Sequence, residues 1–128
     1  MRSSATAPVP TEPAARRALG LVGLAARARN LVAGTAQVRV AARGRRLALV
    51  LIATDASANA RGKVMPLLEA TGIAMIEQFD RMTLGTAAGR APLSAIGIMD
   101  ASLATRIRSL LSTGEMPGPA RAPEQTTG

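Results

Sequence analysis

The amino-acid sequence predicts an α/β protein in which helices cover both faces of a central sheet. Apolar runs of strand length alternate with segments of helical periodicity, a pattern typical of a layered α/β/α sandwich. The run from Leu47 to Ala53 is apolar throughout, which indicates a strand with both faces covered. The 128 residues of the chain give room for one domain with a real core and two tails.

Segments without periodicity flank the alternating region. Residues 1–13 and 112–128 are rich in Pro, Ser, Thr, Ala and Gly, and we expect a disordered N-terminal arm and a disordered tail. The folded domain is therefore expected at 14–111. The N-terminal segment lacks the apolar stretch of a secretory signal, and no run reaches the length of a membrane span. We therefore expect a cytoplasmic protein without a membrane partner.

The predicted helices end or begin at residues suited to those positions. Gly44, Gly72 and Gly89 each follow a helical segment, as glycine often does, and Asp100 is placed to cap the last one. Pro66 lies inside a segment, and an interior proline costs about 3 kcal/mol, so we expect a kink or an early break. The predicted helices are 14–28, Thr35–Arg43, Ala58–Thr71, Arg81–Ala88 and Ala101–Leu111. The predicted strands are Asn30–Ala33, Leu47–Ala53, Ile73–Phe79 and Pro92–Met99.

The residue types argue against an enzyme. Cys and His are absent, which removes disulfides, thiolate catalysis and imidazole metal ligands. No phosphate-binding glycine loop is present, and we expect no catalytic residue, cofactor or metal. Asp55 follows a strand, where catalytic acids often lie, but a role for Asp55 or Ser57 in capping the next helix explains this position better. Lys63 is interpreted as a solvated side chain.

Positive charge is concentrated in the first half of the chain. The net charge is +8, and ten basic residues lie between Ala14 and Lys63 against one acid, Asp55. From Val64 onward, five Arg residues face six acids. Such asymmetry indicates binding to nucleic acid or to an anionic membrane. Phe79 is the only aromatic residue, so the stacking platforms of single-strand binders are excluded.

The helix predicted after Gly34 carries the strongest functional signal. Arg39, Arg43 and Arg46 are spaced i, i+4 and i+7 and are expected on one face of that helix. A solvated face is the usual explanation, but charges of one sign repel each other unless an anion binds, so we favour a function. The start of the helix at Gly34 and Thr35 offers unpaired backbone N–H groups suited to phosphate. We therefore expect this helix to contact RNA.

Residues 82–98, MTLGTAAGRAPLSAIGI, contain a second signal. Gly89 is explained as a helix stop, whereas Gly85 inside a short helix costs about 0.5–1 kcal/mol relative to Ala. We therefore expect Gly85 to serve close packing or contact with a ligand. Gly20 and Gly23 in the first helix likewise indicate close approach of a neighbouring element.

Four segments together resemble a known family. LGLVGLAARARNLVAGTAQV, LVLIATDAS, IAMIEQF and LGTAAGRAPLSAIGI are similar to the kink-turn RNA-binding ribosomal proteins, which include the large-subunit proteins L seven Ae and L thirty e. The small bacterial YlxQ-like branch resembles this chain most. The resemblance covers about Ala18 to Leu111 and implies an α/β/α sandwich with a four-stranded mixed sheet. It also implies binding to a kink-turn, an RNA duplex bent sharply at a bulge beside sheared G·A pairs.

The resemblance assigns roles to the start of the second helix. Gly34 and Thr35 would open the helix that enters the widened major groove at the G·A pairs. The family's reading side chains would fall on Ala36, Gln37 and Val40. The amide of Gln37 can donate and accept at a purine edge, whereas Ala36 cannot hydrogen-bond a guanine and Val40 cannot hold a phosphate.

A loop completes the contact surface that the resemblance implies. The segment from Arg90 to Ser94 matches the family's apolar loop, which covers a flipped-out bulge base. Arg39 and Arg43 would add backbone contacts, which position an RNA without specifying its sequence. The expected RNA contacts are Asn30, Gly34, Thr35, Ala36, Gln37, Arg39, Val40, Arg43, Arg46, Arg90, Ala91, Pro92, Leu93 and Ser94.

Two hypotheses of function follow. The first is a monomeric, non-catalytic protein that binds structured RNA of the kink-turn type, such as ribosomal RNA, in connection with the ribosome or translation. The second is a protein-interaction adaptor that keeps the fold but has lost sequence-specific RNA readout, and the apolar residues Ala36 and Val40 favour it. Partners that survive nuclease treatment in a pull-down would distinguish the second from the first.

Overall fold

We describe residues 10–113 of the chain in a computed structural model. The helices are α1 (Glu12–Arg27), α2 (Thr35–Arg43), α3 (Ala58–Thr71), α4 (Arg81–Ala88) and α5 (Ala101–Thr113). The strands are β1 (Leu31–Ala33), β2 (Leu49–Ile52), β3 (Met75–Glu77) and β4 (Ala95–Ile98). None of the helices in this part of the chain is long and apolar enough to cross a membrane.

The four strands form one mixed sheet in the order β1-β4-β2-β3. Strand β4 is antiparallel to both β1 and β2, and β2 is parallel to β3. Ile52 lies opposite both Ala95 and Glu77, and Ala33 lies opposite Ile96. The last residues of β1, β2 and β3 therefore lie beside the start of β4, along one edge that we call the Ala95 edge. Helices α2, α3 and α4 all begin at this edge.

Alternating side chains of the sheet fill two apolar layers. In β2, Leu49 and Leu51 belong to a core cluster with residues of α1, α4 and α5, whereas Val50 and Ile52 pack with α2 and α3. All four residues are buried. Coverage of both faces explains why β2 has no polar side chain, and it confirms the predicted three-layer α/β/α sandwich with a four-stranded mixed sheet.

Helix α1 begins earlier than the sequence predicts. The side chain of Thr11 accepts a hydrogen bond from the backbone N–H of Ala14 at 3.1 Å, so the helix starts at Glu12 and includes two residues assigned to the arm. Residues 1–9 of that arm and 114–128 of the tail lie outside the described residues. Of the two glycines of α1, Gly23 packs closely: a Cβ there would lie 3.3 Å from the carbonyl oxygen of Ala87, whereas one on Gly20 would touch nothing within 4 Å.

The expected break at Pro66 does not occur. Helix α3 continues from Ala58 to Thr71, and Gly72 ends it in the left-handed conformation. Proline at position 66 removes the backbone donor to the carbonyl group of Gly62. Gly62 lies on the exposed side of the helix, where solvent can hydrate that carbonyl group. Val64 and Leu68, buried on the other side, hold the helix against the sheet across the proline.

The observed strands are shorter than the predicted ones. Strand β2 ends at Ile52 and β4 begins only at Ala95, although the Ala53 N–H still donates to the Ser94 carbonyl oxygen at 2.9 Å. Capping of the last helix is confirmed, since the carboxylate of Asp100 accepts a hydrogen bond from the Leu103 N–H at 2.8 Å. Helix α3 is capped by Ser57, whose hydroxyl accepts from the Ala60 N–H at 3.0 Å, and Asp55 has a different role.

Candidate nucleic-acid interface

The N-terminus of α2 lies at the Ala95 edge without a side-chain cap. Gly34 has φ +94° and ψ 154°, a conformation that glycine adopts readily and other residues rarely, and it turns the chain from β1 into α2. Its N–H donates to the carbonyl oxygen of Ala95 at 2.9 Å. The N–H groups of Thr35, Ala36 and Gln37 belong to the first turn and have no intrahelical acceptor. Backbone donors and the positive end of a helix dipole therefore point outward together.

The loop from residue 90 to 94 lies beside this N-terminus. The Leu93 N–H donates to the Arg81 carbonyl oxygen at 3.1 Å, and the Ser94 carbonyl oxygen accepts from the Ala53 N–H at 2.9 Å. Ala91 passes so close to α4 that a Cβ on Gly85 would lie 2.3 Å from the Ala91 carbonyl oxygen. This contact confirms the close-packing role expected for Gly85. Because Ala95 directly follows the loop and binds Gly34, the structure brings the two predicted contact segments together.

The same loop presents most of its side chains to solvent. Arg90, Ala91 and Pro92 are exposed, and Leu93 and Ser94 are half-buried. Small and apolar groups therefore form an accessible surface next to the first turn of α2. Its backbone is fixed at both ends by the hydrogen bonds to α4 and to the end of β2.

A groove between α2 and α3 extends away from the α2 N-terminus. Its volume is about 670 Å³, and it is lined by Thr35, Ala36, Arg39, Val40, Arg43, Gly62 and Lys63. The guanidinium Nη1 of Arg39 donates to the backbone carbonyl oxygen of Lys63 at 2.5 Å and so joins the two helices. Arg43 is exposed. No carboxylate lines this groove in the described residues, and none forms an ion pair with its three cations.

Two predicted contact residues, Asn30 and Arg46, lie outside this arrangement, and Gln37 belongs only to the first turn of α2. Asn30 precedes β1 at its far end, where its carbonyl oxygen accepts from the Met99 N–H at 2.8 Å, and about 13 Å of extended chain separates it from Gly34. Gln37 is exposed but does not line the groove. Arg46 was expected on the helical face of Arg39 and Arg43, and this prediction is wrong, because α2 ends at Arg43 and Gly44 is its C-cap.

The geometry beyond α2 explains the position of Arg46. Arg45 takes a left-handed conformation with φ 56°, and the Arg46 N–H returns to the Ala41 carbonyl oxygen at 3.0 Å. The Arg46 side chain folds across the helix end, since a Cβ on Gly44 would lie 3.2 Å from its Nε. Arg46 therefore lies near the carbonyl end of α2, where a cation interacts favourably with the helix dipole.

The carboxylates at the Ala95 edge are engaged within the protein. Asp55 accepts from the Arg81 N–H at 2.8 Å and lies 3.5 Å from the Nε of the same residue, so it tethers the start of α4. Glu77 pairs with Arg61. Asp80 caps α4 by accepting from the Thr83 N–H at 2.7 Å, and its hydrogen bonds to the side chain and backbone of Thr83 lower the pKa of this carboxyl group. These pairings reduce the repulsion that an approaching polyanion would meet.

Comparisons with known proteins agree with the fold. Residues 16–107 match the ribosomal protein L7Ae/L30e/S12e/Gadd45 family. Among solved structures, a protein with unknown function from Bacillus halodurans C is 32% identical, with a TM-score of 0.70 over 73% of this chain and 95% of that chain. The Giardia lamblia 15.5kD RNA binding protein is 20% identical, with a TM-score of 0.64 over 80% of this chain and 88% of that chain. No curated protein matches the sequence.

Proposed function

The chain belongs to the ribosomal protein L7Ae/L30e/S12e/Gadd45 family, and we propose that it is a non-catalytic RNA-binding protein that recognises structured, kink-turn-like RNA. The observation that carries this proposal is the uncapped N-terminus of α2, which lies between the 90–94 loop and the basic α2–α3 groove. The RNA-binding protein from Giardia lamblia with the same fold supports the class of ligand.

The chemistry of the three parts suits a bent RNA. Backbone N–H groups at the start of α2 can bind phosphate or the acceptor edge of a base. Gln37, exposed in the first turn, has an amide that can donate to and accept from a purine. Ala91 and Pro92 can cover a base that has left the stack, which is how proteins often recognise bulged RNA. The cations of the groove would contact the backbone of the flanking duplex.

The setting of this activity is part of the same proposal. We propose that the protein acts as a monomer in the cytoplasm, on ribosomal RNA or another structured RNA connected with translation. The net charge of +8 favours association with a polyanion, and the family includes ribosomal proteins.

One observation favours a different function, that of a protein-interaction adaptor. Val40 is 52% exposed and lines the groove together with Ala36, so this face of α2 is more apolar than contact with RNA requires. An adaptor would retain its partners in a pull-down after nuclease treatment. An RNA-binding protein would lose them.

Removal of the α2 cations tests RNA binding. We expect Arg43→Ala to lower the slope of log affinity against log salt by about 0.7–0.9 for one lost phosphate contact, because Arg43 has no structural partner among the described residues. Arg39→Ala should lower the affinity for RNA more than Arg43→Ala does, since the Arg39 guanidinium also joins α2 to Lys63. Arg106→Ala, which removes an exposed charge from α5 in the opposite layer, is the matched control. Slopes that are equal in all three variants would contradict a role of the α2 cations.

A further inference from the structure

We propose that the α2–α3 groove is a binding site for the sugar–phosphate backbone of one RNA strand, and that Lys63 of α3 binds a phosphate in it. This inference rests on the proposed RNA-binding function and extends it to a second helix. In sequence Lys63 lies twenty residues beyond Arg43. Packing of α2 against α3 places it with Arg39 and Arg43 along the same groove.

Lys63 is held at the groove by its backbone and has its ammonium group available. Its carbonyl oxygen accepts from the Arg39 guanidinium at 2.5 Å, which fixes this turn of α3 against α2. The residue is exposed, and its ammonium group forms no ion pair with a described carboxylate. A fixed backbone with an unpaired cation at the end of a flexible stem suits a phosphate.

The arrangement of the groove matches the alternation of charge and sugar along a strand. Arg39 and Arg43 are one turn apart, a rise of about 6 Å along α2, which is comparable to the separation of successive phosphates. Lys63 supplies positive charge from the other wall. Ala36 and Val40 also line the groove and offer an apolar surface to the sugars instead of hydrogen bonds to base edges. The groove therefore suits an RNA backbone better than a sequence-reading contact.

Two further features make the groove accessible to a strand. Gly62 lies on the α3 wall, and a Cβ at that position would meet nothing within 4 Å, so the wall is open beside Lys63. The groove also begins at Thr35 and Ala36 in the first turn of α2. A strand that leaves the α2 N-terminus can therefore enter the groove directly.

The presence of a single lysine allows a direct test. Lys63 is the only lysine of the chain, so acetylation of its ε-amine can be followed by mass spectrometry with the α-amino group as an internal reference. We expect a kink-turn RNA with a long flanking duplex to slow acetylation of Lys63 by about tenfold or more when the protein is saturated. The same RNA with that duplex truncated should protect Lys63 much less. Equal acetylation rates of Lys63 with and without bound long RNA would overturn the proposal.

Two variants separate charge from access. Lys63→Ala should weaken binding of the long RNA about three- to fivefold and lower its salt slope by about 0.7–0.9, and Lys63→Arg should restore both. Gly62→Leu should raise stability, because leucine favours helix and its Cβ would meet nothing within 4 Å, yet weaken binding of the long RNA by narrowing the groove. Arg106→Ala is again the charge control. If the wild type binds RNA but Lys63→Ala and Gly62→Leu bind it with unchanged affinity, the proposal for the groove is refuted and the proposed RNA-binding function is not. Absence of RNA binding by the wild type would refute both proposals.

Discussion

Replacement of Gly85 by alanine should release the 90–94 loop from α4. The added Cβ would lie 2.3 Å from the carbonyl oxygen and 2.7 Å from the carbonyl carbon of Ala91, and 2.9 Å from the carbonyl oxygen of Arg90. All three atoms belong to the backbone, so a change of side-chain rotamer cannot relieve the contacts. Either the loop or α4 must therefore move.

The expected destabilisation follows from two opposing terms. Overpacking in a folded interior costs about 1–3 kcal/mol, whereas alanine in a helix interior gains about 0.5–1 kcal/mol over glycine. We expect Gly85→Ala to lower the free energy of unfolding by about 1–2 kcal/mol, and hence to lower Tm by about 5–15 °C for a domain of this size. Thermal and urea unfolding would measure both quantities.

Gly20→Ala is the matched control for this substitution. Gly20 also lies inside a helix, but a Cβ there would meet nothing within 4 Å. The same change should therefore raise the free energy of unfolding by about 0.5–1 kcal/mol. Hydrogen exchange should also speed up at the Arg90 and Leu93 N–H groups in Gly85→Ala, since these groups bond to α4. A Gly85→Ala protein as stable as the Gly20→Ala protein would refute the packing account.

Two further predictions concern stability. Pro66→Ala should raise the free energy of unfolding by about 1–2 kcal/mol. The substitution restores the hydrogen bond to the Gly62 carbonyl group, and this gain exceeds the loss caused by greater freedom of the unfolded chain. A urea midpoint that is unchanged or lower would contradict this expectation. Thr83 lowers the pKa of Asp80 below its ordinary value of 3.8, so the stabilisation by Asp80 is present above pH 3.8 and is lost as the pH falls through the lower folded-state value. Asp80→Asn keeps a capping residue. Between pH 6 and pH 2.5, the urea midpoint of this variant should fall less than that of the wild type. An equal fall in both proteins would contradict the role of Asp80.

The sequence determines most of the architecture through local signals. Glycines at 44, 72 and 89 and the capping residue Asp100 mark helix ends that the structure confirms. The apolar run around β2 indicates a strand covered on both faces. The break predicted at Pro66 is wrong because the cost of this proline depends on whether solvent can hydrate the carbonyl group of Gly62. That in turn depends on which side of α3 faces solvent.

The contact surface is less accessible to prediction from sequence. The start of α2 and the 90–94 loop can be identified by resemblance, but the hydrogen bond from Gly34 to Ala95 that joins them depends on strand order. Arg46 has the spacing from Arg43 that residues on one helical face have. The chain turns at Arg45, however, so the helix does not continue to Arg46 and the two side chains do not share a face. Lys63 joins the groove only through packing of α3 against α2, and no local pattern indicates this.

Recognition of structured RNA is tested most directly by a titration of the purified protein against two RNAs at one physiological salt concentration. One RNA contains a standard kink-turn, and the other is the same duplex with the bulge filled and the G·A pairs replaced. We expect a preference of about a hundredfold or more for the kink-turn, because the α2 N-terminus and the 90–94 loop fit a bent RNA. Equal, salt-sensitive binding to both RNAs would contradict kink-turn recognition and leave non-specific attraction to the basic surface.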